Sequence, residues 1–170
     1  MGRRQARELA FRTLFQSERG AEPLLDVWRS VRAEQAEVVE DADDAVYGDA
    51  LDVTDLEFAG GLLKSFDAHR EELNAELAAA ITGWSFGQMS QTDLNVLRIA
   101  LTEMRHGTEP PEVAIEMAVR LAKKFGGDES GRFVNGVLAK LLREQRGAMG
   151  VDPREPEPVR EPEDGDAPSS

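Results

Sequence analysis

The sequence predicts an all-α bundle of six or seven helices, and three observations carry that prediction. Apolar residues recur at three- and four-residue spacing in one segment after another. No segment alternates apolar and polar residues in the manner of a half-buried strand. Capping side chains, prolines and glycines bracket the periodic segments.

From Arg3 to about Ser17, the apolar and small residues Ala6, Leu9, Ala10, Thr13 and Leu14 mark one helical face, with Phe11 and Phe15 adding aromatic bulk. Pro23 opens a second helix in which Leu24, Leu25, Val27, Trp28 and Val31 form an apolar face that fades by Glu37. Residues 37–52 are acidic, contain Gly48 and read as a loop. Thr54 followed by Glu57 has the spacing of a capping box, ahead of Leu56, Ala59, Leu62, Leu63 and Phe66. Residues 70–82 continue with Leu73, Leu77, Ala80 and Ile81 and stop before Gly83. Ser90 and Asp93 cap the next helix, whose Leu94, Leu97, Ile99, Ala100, Leu101 and Met104 surround most of its circumference, as in a buried central helix; His106 and Gly107 end it. Pro110 and Pro111 start a helix that Gly126 and Gly127 stop, and Ser130 is placed to cap a last one running through Phe133, Val137 and Leu141.

Composition divides the chain into a helical domain, 1–146, and an acidic, Pro-rich tail, 147–170, with too few apolar residues to bury and expected to be disordered. The absence of cysteine removes disulfides and thiolate metal sites, and the N-terminus lacks the unbroken apolar run of a signal peptide or membrane span. A soluble, cytoplasmic protein without membrane contact is expected. Enzyme signatures are missing: His69 and His106 lie in separate segments as surface or cap residues, HREEL at 69–73 is not a zinc motif, and no P-loop, GxGxxG or nucleophile elbow occurs. No catalytic residue, metal or cofactor is expected.

Charge supplies the functional signal. The formal net charge is -13, yet residues 1–16 hold four arginines against one acid, Glu8, whereas residues 33–63 contain no lysine or arginine. Cations in a helix's first turn oppose its dipole, by about 0.3–1 kcal/mol each at exposed sites. Arg3, Arg4 and Arg7 therefore call for an anionic partner. At spacings of three and four they share one flank and form a phosphate-sized clamp for single-stranded RNA. A second segment, KKFGGDESGRFVNG at 123–136, sets Arg132, Phe133 and Asn135 on the first turns of a helix, where ring and guanidinium suit splayed bases. On periodicity alone, Phe133 fits the core better, with Asn135 bonded to backbone and Gly136 permitting close helix packing. A protein-protein adaptor or homodimer that buries the arginines without RNA is the competing reading.

Three blocks, RRQARELAFRTLF at 3–15, TDLNVLRIALTEM at 92–104 and PPEVAIEMAVRLAKKFGGDESGRFVNGVLAK at 110–140, resemble the NusB family of bacterial antitermination factors, with looser agreement over 20–85. The same fold family includes the N-terminal domain of some RNA cytosine methyltransferases, but no methyltransferase domain follows in this sequence. The resemblance implies two packed three-helix subdomains. It also implies a non-catalytic factor that binds the boxA element of ribosomal RNA leader transcripts together with ribosomal protein NusE, within the RNA polymerase antitermination complex. By that resemblance, Arg3, Arg4, Arg7, Glu129, Arg132 and Phe133 contact RNA, while Asp93 and, less directly, Phe15 contact NusE. Position 5 is Gln where some relatives continue the arginine run.

Overall fold

Apolar spacing is realised as seven α-helices in a computed structural model that describes residues 3–41, 51–81 and 86–148. They are α1 (Arg3–Gly20), α2 (Leu24–Asp41), α3 (Val53–Ala68), α4 (Arg70–Ala80), α5 (Gln91–His106), α6 (Pro111–Gly126) and α7 (Asp128–Ala148), with a single 3-10 turn at Phe86–Gln88. There is no strand among the described residues. None of the helices is long and apolar enough to cross a membrane.

Helix ends depart from expectation where a competing side chain caps better. The capping box of α3 is made by Asp52 and Asp55, not Thr54 and Glu57: Asp52 accepts the Asp55 amide at 2.8 Å, and Asp55 accepts the Asp52 amide at 3.1 Å. The helix so starts at Val53, and Thr54 sits exposed in its first turn. Helix α7 begins at Asp128, two residues before Ser130, whose hydroxyl donates instead to the Gly126 carbonyl at 3.2 Å. Helix α2 continues to Asp41, into the stretch read as loop. Residues 42–50 and the stop at Gly83 lie outside the described residues. Helix α7 runs to Ala148, two residues past the domain boundary read from composition; residues 149–170 also lie outside.

Two three-helix groups emerge: α1 packs with α2 and α3, and α5 packs with α6 and α7. Helix α5 joins them by touching α1 and α3, and α4 lies against α3, α5 and α7. That position explains the apolar circumference of α5, where every residue from Leu94 to Met104 is buried. Its Leu97 and Leu101 share one core with Leu14, Leu63, Phe66 and Leu138, all fully enclosed. Each such side chain stabilises the fold by about 1.5–3 kcal/mol relative to exposure.

Two of the buried polar residues of α5 bind each other and α4, although the Asn95 Nδ2 finds no partner among the described residues. Arg98 donates to Asn74 and Asn95, each at 3.0 Å, tying α4 to α5; burial pushes its pKa down while nearby Glu18 opposes the shift. At the far end, His69 closes α3 and His106 closes α5, and the two rings stack at 4.0 Å. Sequence separation concealed that contact. Burial is the largest cause lowering the His106 pKa, followed by the neighbouring His69.

Candidate nucleic-acid interface

Helix α1 presents its arginines on two flanks. Arg7 points inward and is buried: its guanidinium donates to both carboxylate oxygens of buried Glu103, with Nε contacts of 2.9 and 3.1 Å. The Phe58 ring lies beneath both Arg3 and Arg7, 5.1 and 5.2 Å from their guanidinium carbons, and Arg3 also pairs with Glu109. The three-arginine clamp is corrected accordingly. Arg7 is an internal ion pair joining α1 to α5, because the neighbouring α5 offers a carboxylate that compensates its desolvation. Arg3 follows it onto Phe58, and only Arg4 turns to the outer flank.

Arg4 is exposed and makes no ion pair among the described residues. It lines a crevice between α1 and α6 with Glu8, Met117, Arg120, Leu121 and Lys124. Glu8 organises this face by accepting from Arg12 at 2.9 Å and from Lys124 at 2.8 Å. Between those cations stands Phe125, an exposed large apolar side chain at 37% exposure. Arg12 and Lys124 each lie 5.5 Å from its centroid, and its inner edge packs on Phe11 at 5.1 Å. One carboxylate holding two cations leaves net positive charge around an accessible ring. That arrangement suits a nucleotide, with phosphate on the cations and base on the ring.

Sequence reading did not single out Phe125 or place Arg12 in the site. Phe125 follows Ala118 and Ala122 at core spacing, so its period reads as buried. Helix α6 overshoots the core there, and the ring emerges at the end. Gly127, with φ of 89°, supplies the left-handed turn into α7. A Cβ on Gly126 would stand 2.3 Å from the Ser130 hydroxyl, so glycine alone lets the two helices turn this closely.

Beyond that turn, Glu129, Phe133 and Asp93 line one hollow of about 300 Å³ with Met89, Ser90 and Gly126. The structure thus brings together residues assigned by resemblance to separate partners. Phe133 is half-buried against the core, while Glu129 and Arg132 are exposed. Asp93 sits in the first turn of α5, its amide bonded to the Ser90 hydroxyl at 3.0 Å. Its Oδ1 is buried and has no hydrogen-bond partner among the described residues. Phe15 is half-buried and packs on Phe11 at 6.1 Å. Lys124 lines the crevice beside α1 and Gly126 lines the hollow, with exposed Phe125 between them in the chain.

A family model described as the NusB family matches residues 4–143. The chain belongs to the NusB family. It is 49% identical over 146 residues to the transcription antitermination protein NusB of Deinococcus deserti, covering 86% of this chain and 83% of that one. The Thermotoga maritima NusB structure aligns with a TM-score of 0.67 at 29% identity, over 85% of this chain and 92% of that one. A structure of antitermination factors NusB and NusE in complex with double-stranded RNA aligns with a TM-score of 0.69 at 22% identity, over 84% and 96%. At that identity the likeness concerns the fold. The expected pair of three-helix groups is the one seen in this chain's helix packing.

Proposed function

We propose that this protein is a non-catalytic, cytoplasmic antitermination factor that binds the single-stranded boxA element of ribosomal RNA leader transcripts jointly with NusE. The observation carrying the reading is exposed Phe125 held between Arg12 and Lys124 on a NusB scaffold. Aromatic rings and guanidinium groups commonly bind unpaired bases, and this ring has two cations within 5.5 Å of its centroid. The relatives' name, transcription antitermination protein, supports the same conclusion.

In this reading the strand runs from Arg4 over Phe125 to the hollow at Glu129 and Phe133, with exposed Arg132 on the same turns of α7. Arg3 contributes at the margin, and Arg7 acts through the fold. NusE, bound by a NusB chain of the same fold, is the protein partner to test. Asp93 carries a carboxylate oxygen with no hydrogen-bond partner among the described residues, suited to a lysine, arginine or hydroxyl. Phe15 extends that contact.

Anisotropy of labelled boxA RNA, titrated with the protein with and without NusE, tests the proposal. Joint binding should be tighter than binding by the protein alone and should weaken when the boxA sequence is scrambled. Affinity indifferent to both sequence and NusE would overturn it. Asp93→Asn should weaken NusE binding more than it changes the affinity for RNA alone, since Asp93 lines the hollow that the strand also reaches.

A further inference from the structure

We propose that the groove between α6 and α7 is the docking site of the chain's own acidic C-terminal segment, residues 149–170. The groove is open, about 660 Å³ in volume, and floored by Ile115, Val119, Ala139 and Leu142. Arg120, Lys123, Arg143 and Arg146 rim it, against Glu112 and Glu116. Arg120 is paired with Glu116 and Arg146 with Glu112. Lys123 and Arg143 are exposed and have no ion pair among the described residues. An apolar floor beneath a cationic rim fits an acidic segment that also carries apolar side chains.

Residues 149–170 match that description, with seven carboxylates against two arginines, five prolines, and Val151 and Val159 among them. They follow directly on Ala148, where α7 ends, and α7 itself supplies Arg143 and Arg146 to the rim. Along α7 the groove extends from Arg146 to Asn135, roughly 17 Å at about 1.5 Å per residue. A Pro-rich extended segment advances about 3.1 Å per residue, so about six residues span that length. Asp152 and Glu155 then fall along the rim. Tethering raises the local concentration of the segment to the millimolar range, so modest contacts suffice.

Other occupants fit less well. No aromatic side chain lines the groove to stack on a base. A second copy placed by two-fold symmetry would set the same cationic rim against itself. Arg120 lines both this groove and the crevice of Arg4 and Lys124. Resting on the RNA reading, the farther carboxylates of the segment would compete with phosphate for that shared border.

The chain has no cysteine, so a nitroxide placed on Pro158→Cys in the full chain reports a single position. Amide signals of Val119, Lys123, Asn135 and Ala139 should lose most of their intensity at low salt. They should regain it at high salt and in the Lys123→Glu/Arg143→Glu variant. Should that variant misfold, Asp152→Asn/Glu155→Gln/Glu157→Gln makes the same test with the groove intact. Broadening spread evenly over the surface, confined to another face, retained in the charge variants, or transferred to an unlabelled second copy would each overturn docking. Competition has its own measurement: Glu161→Gln/Glu163→Gln/Asp164→Asn/Asp166→Asn, which neutralises the farther carboxylates, should tighten RNA binding several-fold at low salt, and unchanged affinity would overturn competition. Loss of RNA binding in every form of the protein would instead defeat the RNA reading, since the nitroxide experiment contains no RNA.

Discussion

The two flanks of α1 carry the same residue type to opposite ends. On the inner flank, Arg7 is enclosed by α5 and neutralised by Glu103, and Arg3 leans on Phe58 beside it. On the outer flank, Arg4 faces solvent and Arg12 is steadied by Glu8 next to an exposed ring. Charge on the inner flank is compensated by the fold; charge on the outer flank remains available to a ligand. The arginine run is therefore partly structural and partly functional, and only the neighbour on each side tells which.

The largest effect should come from the inner flank. Arg7→Ala leaves the Glu103 carboxylate buried without its partner, which costs about 3–5 kcal/mol in other proteins. Urea denaturation should show a loss of that order, with RNA binding impaired only as far as folding is. A full-stability Arg7→Ala protein with weakened RNA binding would break the distinction between the flanks. Next comes Phe125→Ala on the outer flank. Losing one base-stacking ring weakens single-strand binding by about 1–3 kcal/mol. Anisotropy should record that loss while the denaturation midpoint changes little, because the ring lies at the edge of the core.

Much of the fold was legible because seven helices announce themselves by period and punctuation, and α5 by its apolar circumference. The site was less so. Periodicity assigns a face relative to a helix axis, and it cannot say where a helix overruns the core, as α6 does at Phe125. Nor does it show which acid meets which arginine: Arg7 and Glu103 are 96 residues apart in sequence. Local capping choices misled in the same way, since Asp52 and Asp55 outcompete Thr54 and Glu57 only once the helix start is known. By contrast Asp93, Glu129 and Phe133 were nominated by resemblance, and their gathering in one hollow required the turn at Gly127.

Salt dependence sharpens the outer flank further. Contacts from Arg4, Arg12 and Lys124 to three phosphates of a single strand give a log-log slope near -2, at about 0.7 per contact. Arg4→Ala should reduce its magnitude by about 0.7 and leave the denaturation midpoint unchanged, as befits an exposed side chain that makes no ion pair among the described residues. An unaltered slope would place the strand elsewhere.

Arg3→Ala should have the smallest effect, and it tests whether the division is abrupt or graded. Arg3 shares Phe58 with Arg7, but its side chain is half exposed and its partner Glu109 lies near the surface. Exposed pairs of this kind contribute about 0–1 kcal/mol, because solvent screens them. A ring contact at an exposed site adds about 0.5–1 kcal/mol. Loss of at most about 2 kcal/mol in stability, with a salt slope close to that of the unmodified chain, would place Arg3 with the inner flank. A slope reduced as much as by Arg4→Ala would show that Arg3 releases Glu109 to hold phosphate, and that the division between the flanks begins only at Arg7.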